Sequence, residues 1–168
     1  VVGMGNIGRK VAALYQAFGA EVLYYDAFRP TPEAEKALNV TYCDLDELWG
    51  KCDILSLHAP LTPETEHMVN AESLKKMRRG AVLVNTARGG LIDTEALIDA
   101  LKHKKFQAVA LDVYEGEDEN VYTDRSFDFL DEDVTARLQM FPNVVLTSHQ
   151  AFFTREALQA IAVQTLEN

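Results

Sequence analysis

Short apolar runs recur along this chain at intervals that predict the strands of a buried sheet. Most of their positions are apolar on both faces instead of alternating with polar residues, which is typical of strands covered on both sides. The runs are "VLYYD" (22–26), "DILSLH" (53–58), "AVLVNT" (81–86), "FQAVALDV" (106–113) and "NVVLTS" (143–148). They predict a parallel sheet with helices on both faces.

Helix-like segments separate these runs. Helices are predicted over 6–18, in "DLDELWG", in "NAESLKKM" after the N-cap Asn70, in "DTEALIDALKHK" after the N-cap Asp93, and over about 154–167. "RPTPEAE" (29–35) predicts a turn and a short helix, with Thr31 as N-cap and Pro32 at the first helical position. Strand and helix alternation of this kind indicates an α/β fold with a doubly wound parallel sheet. The acidic stretch 114–132 lacks periodicity and predicts a long loop.

Composition and charge narrow the function classes. The chain has 168 residues, 48% hydrophobic and 25% charged, as expected for one soluble domain. Its net charge of −10 disfavours duplex nucleic acid and anionic membranes as partners. Cys43 and Cys52 form no metal-binding spacing, so we expect reduced thiols, a cytoplasmic location and no metal site. Because the chain starts within a strand and stops within a helix, we expect it to be cut from a longer protein.

The stretch "GMGNIG" (3–8) joins a strand remnant to a helix, which is the context of a dinucleotide-binding turn. Gly3 permits the tight turn, Gly5 lets a pyrophosphate approach the backbone, and Gly8 lets helix and strand pack closely. The helix N-terminus then offers N–H groups to the phosphates. A plain strand–helix turn is the structural alternative, and Asp26 at the end of the second run makes it the weaker one.

Asp26 stands where an acidic residue accepts hydrogen bonds from the adenosine ribose. A carboxylate there repels a 2′-phosphate, so the sequence predicts NAD as cofactor instead of NADP. Arg29 leaves the alternative open, since an arginine can accommodate that phosphate.

Three further stretches place chemistry at predicted strand ends: Arg88 in "VNTARGG", the acids Asp112, Glu115 and Glu117 in "LDVYEGE", and His149 in "TSHQAFF". Arginine, carboxylate and histidine at one sheet edge suit reduction of a 2-oxo acid. Arginine pairs with the substrate carboxylate, and histidine gives a proton to the carbonyl oxygen. Each residue also has a purely structural interpretation. Arg88 could cap the preceding strand, Glu117 could be a solvated acid, and His149 could be a strand-end histidine whose hydrogen bonds are satisfied within the fold.

In these motifs the chain resembles the D-2-hydroxyacid dehydrogenases over essentially its whole length, and most of all their fermentative D-lactate dehydrogenase branch. The matching stretches are "VGMGNIG", "LHAPLTPET", "VNTARGGLID", "ALDVYEGE" and "NVVLTSHQAF". The long acidic insert and the aromatic residues after the histidine favour that branch. Ser148 departs from the proline of most relatives.

The resemblance implies roles position by position. Arg88 would bind the substrate carboxylate and contact the cofactor, Glu117 would support the histidine, and His149 would donate the proton. Phe152 would form part of the wall of the substrate site. The remaining cofactor contacts that it implies are Asn6 and Ile7 at the pyrophosphate, Asp26 at the ribose, His58, Pro60 and Thr65 near the adenosine half, and Thr86, Ala87 and Asp112 at the nicotinamide.

The resemblance also implies a two-domain dehydrogenase, of which residues 1–168 are the NAD-binding domain and flanking segments the substrate domain. We expect it to interconvert pyruvate and D-lactate with NAD(H), and to be a homo-oligomer when full length. A dehydrogenase of a bulkier 2-hydroxy acid and a non-catalytic, NAD-sensing corepressor-like protein remain alternatives.

Overall fold

The computed structural model describes residues 1–116 and 134–167. Its strands are β1 (Leu23–Tyr24), β2 (Thr41–Tyr42), β3 (Ile54–Leu57), β4 (Ala81–Asn85), β5 (Phe106–Leu111) and β6 (Val144–Leu146). Its helices are α1 (Asn6–Ala17), α2 (Pro32–Leu38), α3 (Leu45–Lys51), α4 (Ala71–Lys76), α5 (Thr94–Lys102), α6 (Val134–Gln139) and α7 (Arg155–Glu167), with a 3₁₀ turn at Gly89–Leu91.

All strand pairs in these residues are parallel. β3, β4, β5 and β6 form one sheet in that order, and β1 pairs with β2. Val2 forms bridges to both Tyr25 and Leu57, so it joins the two sheets between β1 and β3. The doubly wound, Rossmann-like α/β fold predicted from the sequence is confirmed.

The core lies around β3, β4 and β5, whose side chains are covered by helices. Leu55, Leu57, Leu83 and Val109 have no exposed surface. A smaller cluster beneath α1 contains Met4, Ala12, Val22 and Tyr24. The absence of strict alternation in the sequence has this cause, because Leu55, Ser56 and Leu57 of β3 are all buried and no residue of β4 is exposed.

The predicted caps are confirmed. Thr31 Oγ1 accepts from the Ala34 amide, Asp93 Oδ1 from the Ala96 amide, and Asn70 Oδ1 from the Glu72 and Ser73 amides. Each side chain satisfies N–H groups that have no partner inside the helix. The starts of these helices could therefore be predicted from the capping residues in the sequence.

Two short elements were not predicted. β2 has two residues, and α6 has six, of which Leu138 alone is buried. Both depend on tertiary contacts, which leave little periodic signal in the sequence. Residues 117–132 of the acidic stretch lie outside the described residues.

Cys43 and Cys52 are free thiols, as predicted. Within residues 1–116 and 134–167, no helix has the length and apolarity needed to cross a membrane. Nor do these residues bring three or more histidine, cysteine or acidic side chains together in a metal-binding group.

Candidate functional site

The glycine turn brings the ends of three segments into close contact. Gly3 has φ +92°, and its N–H donates to the Tyr25 carbonyl at 2.8 Å. A Cβ on Gly3 would lie 2.7 Å from the His58 carbonyl carbon, and one on Gly8 would lie 1.9 Å from the Gly3 oxygen. Side chains are excluded at both positions, in agreement with the roles that the sequence predicts for these two glycines.

Gly5 differs from Gly3 and Gly8 because it faces open space. A Cβ there would meet no atom within 4 Å. Gly5 is the N-cap of α1 without a side-chain cap, and the first turn of the helix contains no acid. Asn6 and Ile7 are both exposed beside it. Uncapped first-turn amides and free space in front of them fit a pyrophosphate.

Asp26 lies directly against this turn. Its Oδ2 accepts from the Met4 amide at 2.6 Å, and its Oδ1 accepts from the Phe28 amide at 2.8 Å. The carboxylate is thus fixed beside the glycine turn at the end of β1. This is the position from which an acid reaches an adenosine ribose.

Arg29, the residue that left NADP open, is engaged elsewhere. Its guanidinium makes two hydrogen bonds to the Glu35 carboxylate, at 2.6 and 3.0 Å, and lies 4.4 Å from the centre of the Tyr42 ring. The arginine therefore points at α2 and β2 in this structure.

His58 and the following loop continue the edge beside the turn. His58 Nε2 lies 2.8 Å from Ser56 Oγ, and burial lowers the pKa of His58. Thr65 Oγ1 donates to the Pro60 carbonyl at 2.7 Å and accepts from the Thr62 amide at 2.8 Å. The two loop residues implied by the resemblance, Pro60 and Thr65, are thus joined by one hydrogen bond.

The turn after β4 carries Thr86, Ala87 and Arg88, and a buried asparagine shapes it. Asn85 has no exposed surface; its Oδ1 accepts from the Ala87 amide and its Nδ2 donates to the Arg88 carbonyl. The side chains of Thr86 and Arg88 reach the surface beyond it. Sequence reasoning missed Asn85, although an amide at the end of an apolar strand was a usable signal.

Asp112 at the end of β5 holds the histidine-bearing turn. Its carboxylate accepts from Thr147 Oγ1 at 2.5 Å, the Gln150 amide at 2.9 Å and the Ala151 amide at 2.8 Å. Burial by itself would raise the pKa of Asp112, but these hydrogen bonds outweigh it and the pKa is lowered. Both oxygens of this predicted cofactor-lining residue are therefore used by the protein.

The position of His149 depends on its backbone conformation as well as on the contacts of its side chain. Its φ of +49° is unusual for a residue other than glycine, and its N–H donates to the Asp112 carbonyl at 2.8 Å. The Phe152 ring lies edge-on to it, with centroids 6.4 Å apart, and is 46% exposed. The described residues thus bring His149 and Phe152 together at the surface.

Glu115 binds a different histidine. Its Oε1 lies 2.5 Å from His67 Nε2, and its Oε2 accepts from the Thr94 amide at 2.9 Å. Both oxygens of the Glu115 carboxylate are thus used by His67 and Thr94. Glu117 itself lies outside the described residues. The His67 contact was missed, because 48 residues separate the two side chains.

The parallel strand order puts these turns on one edge of the sheet. From one end to the other the edge carries Asp26, the glycine turn, His58, the Asn85–Arg88 turn, Asp112 and the His149 turn. A Cβ on Gly89 would lie 2.2 Å from the Tyr114 carbonyl oxygen, so the turns after β4 and β5 are in direct contact. Ligands of open α/β sheets bind at this carboxyl edge.

Comparisons with known proteins agree with this arrangement. Residues 1–151 match the family model "D-isomer specific 2-hydroxyacid dehydrogenase, NAD binding domain". A D-lactate dehydrogenase of Curvularia clavata is 51% identical over 168 residues, which are 100% of this chain and 47% of that protein.

Two solved structures give the same result in three dimensions. The D-lactate dehydrogenase of Aquifex aeolicus, complexed with NAD and lactic acid, has a TM-score of 0.90 and 37% identity over 99% of this chain and 50% of that one. A D-2-hydroxyisocaproate dehydrogenase has a TM-score of 0.89 and 31% identity over 99% of this chain and 49% of that one. The chain thus spans about half the length of the relatives it matches.

Proposed function

Because this chain belongs to the D-isomer-specific 2-hydroxyacid dehydrogenase family and matches its NAD-binding domain, we propose that the whole protein reduces pyruvate to D-lactate with NADH. One observation carries the proposal most directly. Asp112, which follows β5, accepts hydrogen bonds from the His149 turn, and β5 pairs with β4, which the Arg88 turn follows. Both turns lie at the same sheet edge as the glycine turn. A proton donor and a carboxylate-binding cation are then both available beside a dinucleotide.

The nucleotide end of the site works through backbone groups and one acid. The amides at the start of α1 bind the pyrophosphate, with Asn6 and Ile7 beside it, and Asp26 accepts hydrogen bonds from the ribose. His58, Pro60 and Thr65 border the adenosine half; Thr86, Ala87, Arg88 and Asp112 border the nicotinamide. When bound, NADH supplies the hydride.

The chain's own residues supply the remaining chemistry. The Arg88 guanidinium binds the substrate carboxylate in a bidentate manner and so orients the 2-oxo group. A ring N–H of His149 donates a proton to the carbonyl oxygen. Glu117 supports the histidine, and Phe152 excludes water next to the substrate's methyl group.

The proposal is tested by His149→Ala in the full-length protein. We expect kcat for pyruvate reduction to fall by about 10²- to 10⁴-fold, as for the loss of a general acid, while NADH binding persists. His103→Ala, which removes an exposed histidine at the end of α5, is the matched control and should retain kcat. Near-normal turnover by the His149 variant would contradict the proposal.

A second candidate is a dehydrogenase for a bulkier 2-hydroxy acid, which the structural likeness to a D-2-hydroxyisocaproate dehydrogenase favours. Values of kcat/KM for pyruvate, phenylpyruvate and hydroxypyruvate separate the two candidates. A preference for phenylpyruvate would overturn the assignment of pyruvate and leave the reaction class intact. Turnover of none of the three would instead favour a non-catalytic NAD sensor.

A further inference from the structure

The loop after Asp26 carries a cation that is held in one place by a nearly buried acid. Arg29 Nε donates to Glu35 Oε1 at 2.6 Å and Arg29 Nη2 donates to Oε2 at 3.0 Å. The Glu35 side chain is 13% exposed, whereas that of Arg29 is 54% exposed. The acid is therefore the fixed partner, and the arginine is the partner that could move.

Glu35 is itself fixed from a third direction. The hydroxyl of the fully buried Tyr24 donates to Glu35 Oε1 at 2.5 Å. Hydrogen bonds from Arg29 and Tyr24 lower the pKa of Glu35 to about 2, so the carboxylate is charged at any physiological pH. Tyr42 completes the arrangement, with its ring 4.4 Å from the Arg29 guanidinium carbon.

This ion pair lies next to the ribose end of the nucleotide site. Arg29 follows Asp26 by three residues, and the Phe28 amide donates back to Asp26 Oδ1, so the loop folds over that carboxylate. Tyr42 pairs with Tyr24 in the sheet, one strand away from the glycine turn. Arg29 is therefore near the ribose-binding acid, as are the arginines that accommodate a 2′-phosphate in NADP-binding relatives of this fold.

We propose that Glu35 is a specificity-determining residue for the cofactor: by holding Arg29 on Tyr42, it keeps a cation away from the adenosine 2′-position and acts with Asp26 to exclude NADP(H). Asp26 repels the 2′-phosphate, and Glu35 removes the group that would otherwise compensate. This inference concerns the cofactor site and does not depend on which 2-oxo acid the protein reduces.

The test measures equilibrium binding of adenosine 2′,5′-bisphosphate and of 5′-AMP to the full-length protein by calorimetry. The two ligands differ only in the 2′-phosphate. Because Asp26 opposes that phosphate, the variants are made both alone and with Asp26→Ser. In the Asp26→Ser background, we expect Glu35→Gln to tighten bisphosphate binding roughly fivefold to tenfold, as one partly screened charge-assisted contact does, and to leave AMP binding unchanged.

Two controls separate this role from a general change in charge. Glu33→Gln removes an exposed acid from the same first turn of α2, and it should leave the ratio of the two affinities unchanged. Adding Arg29→Gln to the Glu35→Gln variant should abolish the gain. A gain that survives the loss of Arg29, or one equalled by Glu33→Gln, would overturn the proposal.

Glu35→Met guards against a folding artefact, because it fills a similar volume and also releases Arg29. It should shift the ratio of affinities in the same direction as Glu35→Gln. Intact AMP and NADH binding without a gain for the bisphosphate in either variant would refute the role of Glu35. Such a result would leave the proposed dehydrogenase reaction untouched, because turnover with NADH is measured separately.

Discussion

At the scale of the residue, Asn85 shows how a buried amide shapes the site without reaching its surface. It satisfies the Ala87 amide and the Arg88 carbonyl from a position with no exposed surface. Without it, a backbone donor and a backbone acceptor would lose partners that only a side chain at this position supplies. The orientation of the Arg88 turn therefore depends on Asn85.

We expect Asn85→Ala to lower the free energy of unfolding by about 1–3 kcal/mol, the usual cost of leaving buried polar groups unpaired. It should also raise KM for the 2-oxo acid, because the Arg88 turn loses its support. Urea unfolding and steady-state kinetics on the full-length protein measure the two effects.

Asn143→Ala is the matched control, because Asn143 Nδ2 donates to the Phe106 carbonyl at the opposite end of the sheet. It should cost about 0.5–1.5 kcal/mol, as for one hydrogen bond, with no change in KM. Equal effects of the two variants on KM would show that Asn85 supports the fold only.

At the scale of the element, the His67–Glu115 pair clamps two loops to the start of a helix. Glu115 follows β5, His67 lies in the loop between β3 and α4, and Thr94 begins α5. His67 adopts a φ of +48°, and its N–H donates to the Gly90 carbonyl at 2.8 Å. The loop that contains Pro60 and Thr65 is thereby fixed to the turn after Arg88.

This clamp predicts a window of pH in which it stabilises the fold. The hydrogen bond that His67 donates to the Glu115 carboxylate raises the pKa of His67, so the contribution of His67 is complete below about pH 6.5 and is lost as pH rises through the raised value. The pKa of Glu115 is lowered, because its bonds to His67 and Thr94 outweigh burial. Its contribution is complete above about pH 4.5 and is lost below the lowered value.

Wild-type stability should therefore exceed that of His67→Gln most clearly between about pH 4.5 and 6.5, by at most about 1 kcal/mol for a half-exposed pair. Thermal unfolding of both proteins between about pH 4 and pH 9 measures this difference in stability. Glu115→Gln should reduce stability in the same window. A difference that does not change with pH would contradict the clamp.

Elements differ in how far the sequence predicted them. The buried strands and the capped helices were readable, because apolar runs and the N-caps Thr31, Asn70 and Asp93 act through neighbouring residues. β2 and α6 were missed, since their stability comes from contacts far away in the chain.

Within the site, the glycine turn and Asp26 were predictable because the spacing of the motif encodes their geometry. The contacts of Asp112 with residues 147–151, of Glu115 with His67 and of Arg29 with Glu35 were not. Each is a pairing of side chains or turns that only the folded sheet brings together. The assignment of Glu117 and the roles of Arg88 and His149 stay predictions.

At the scale of the whole molecule, the last helix is the least packed part of the described chain. None of the residues of α7 is buried, and Leu158, Ile161, Val163 and Leu166 are all at least 39% exposed. A helix of 13 residues without packing is only marginally stable in water. The relatives are about twice as long as this chain, so we expect the rest of the protein to cover part of this surface.

Hydrogen exchange tests this expectation in two samples, the 168-residue chain and the full-length protein. Amides of α7 should exchange rapidly in the chain alone and become protected in the full-length protein, because packing and not intrinsic propensity stabilises the helix. Amides of β4 serve as the internal reference and should be protected in both. Equal exchange of α7 in the two samples would contradict a partner surface.

The hydrogen bonds between Asp112 and the His149 turn join residues that are synthesised at different times. A ribosome delivers Asp112 well before residues 147–151, so the carboxylate that receives the turn exists before the turn does. The glycine turn and Asp26 are made earlier still. A polypeptide released before residue 149 therefore contains the residues of the nucleotide end of the site and lacks the proposed proton donor, which is the last of the three proposed catalytic residues to be synthesised.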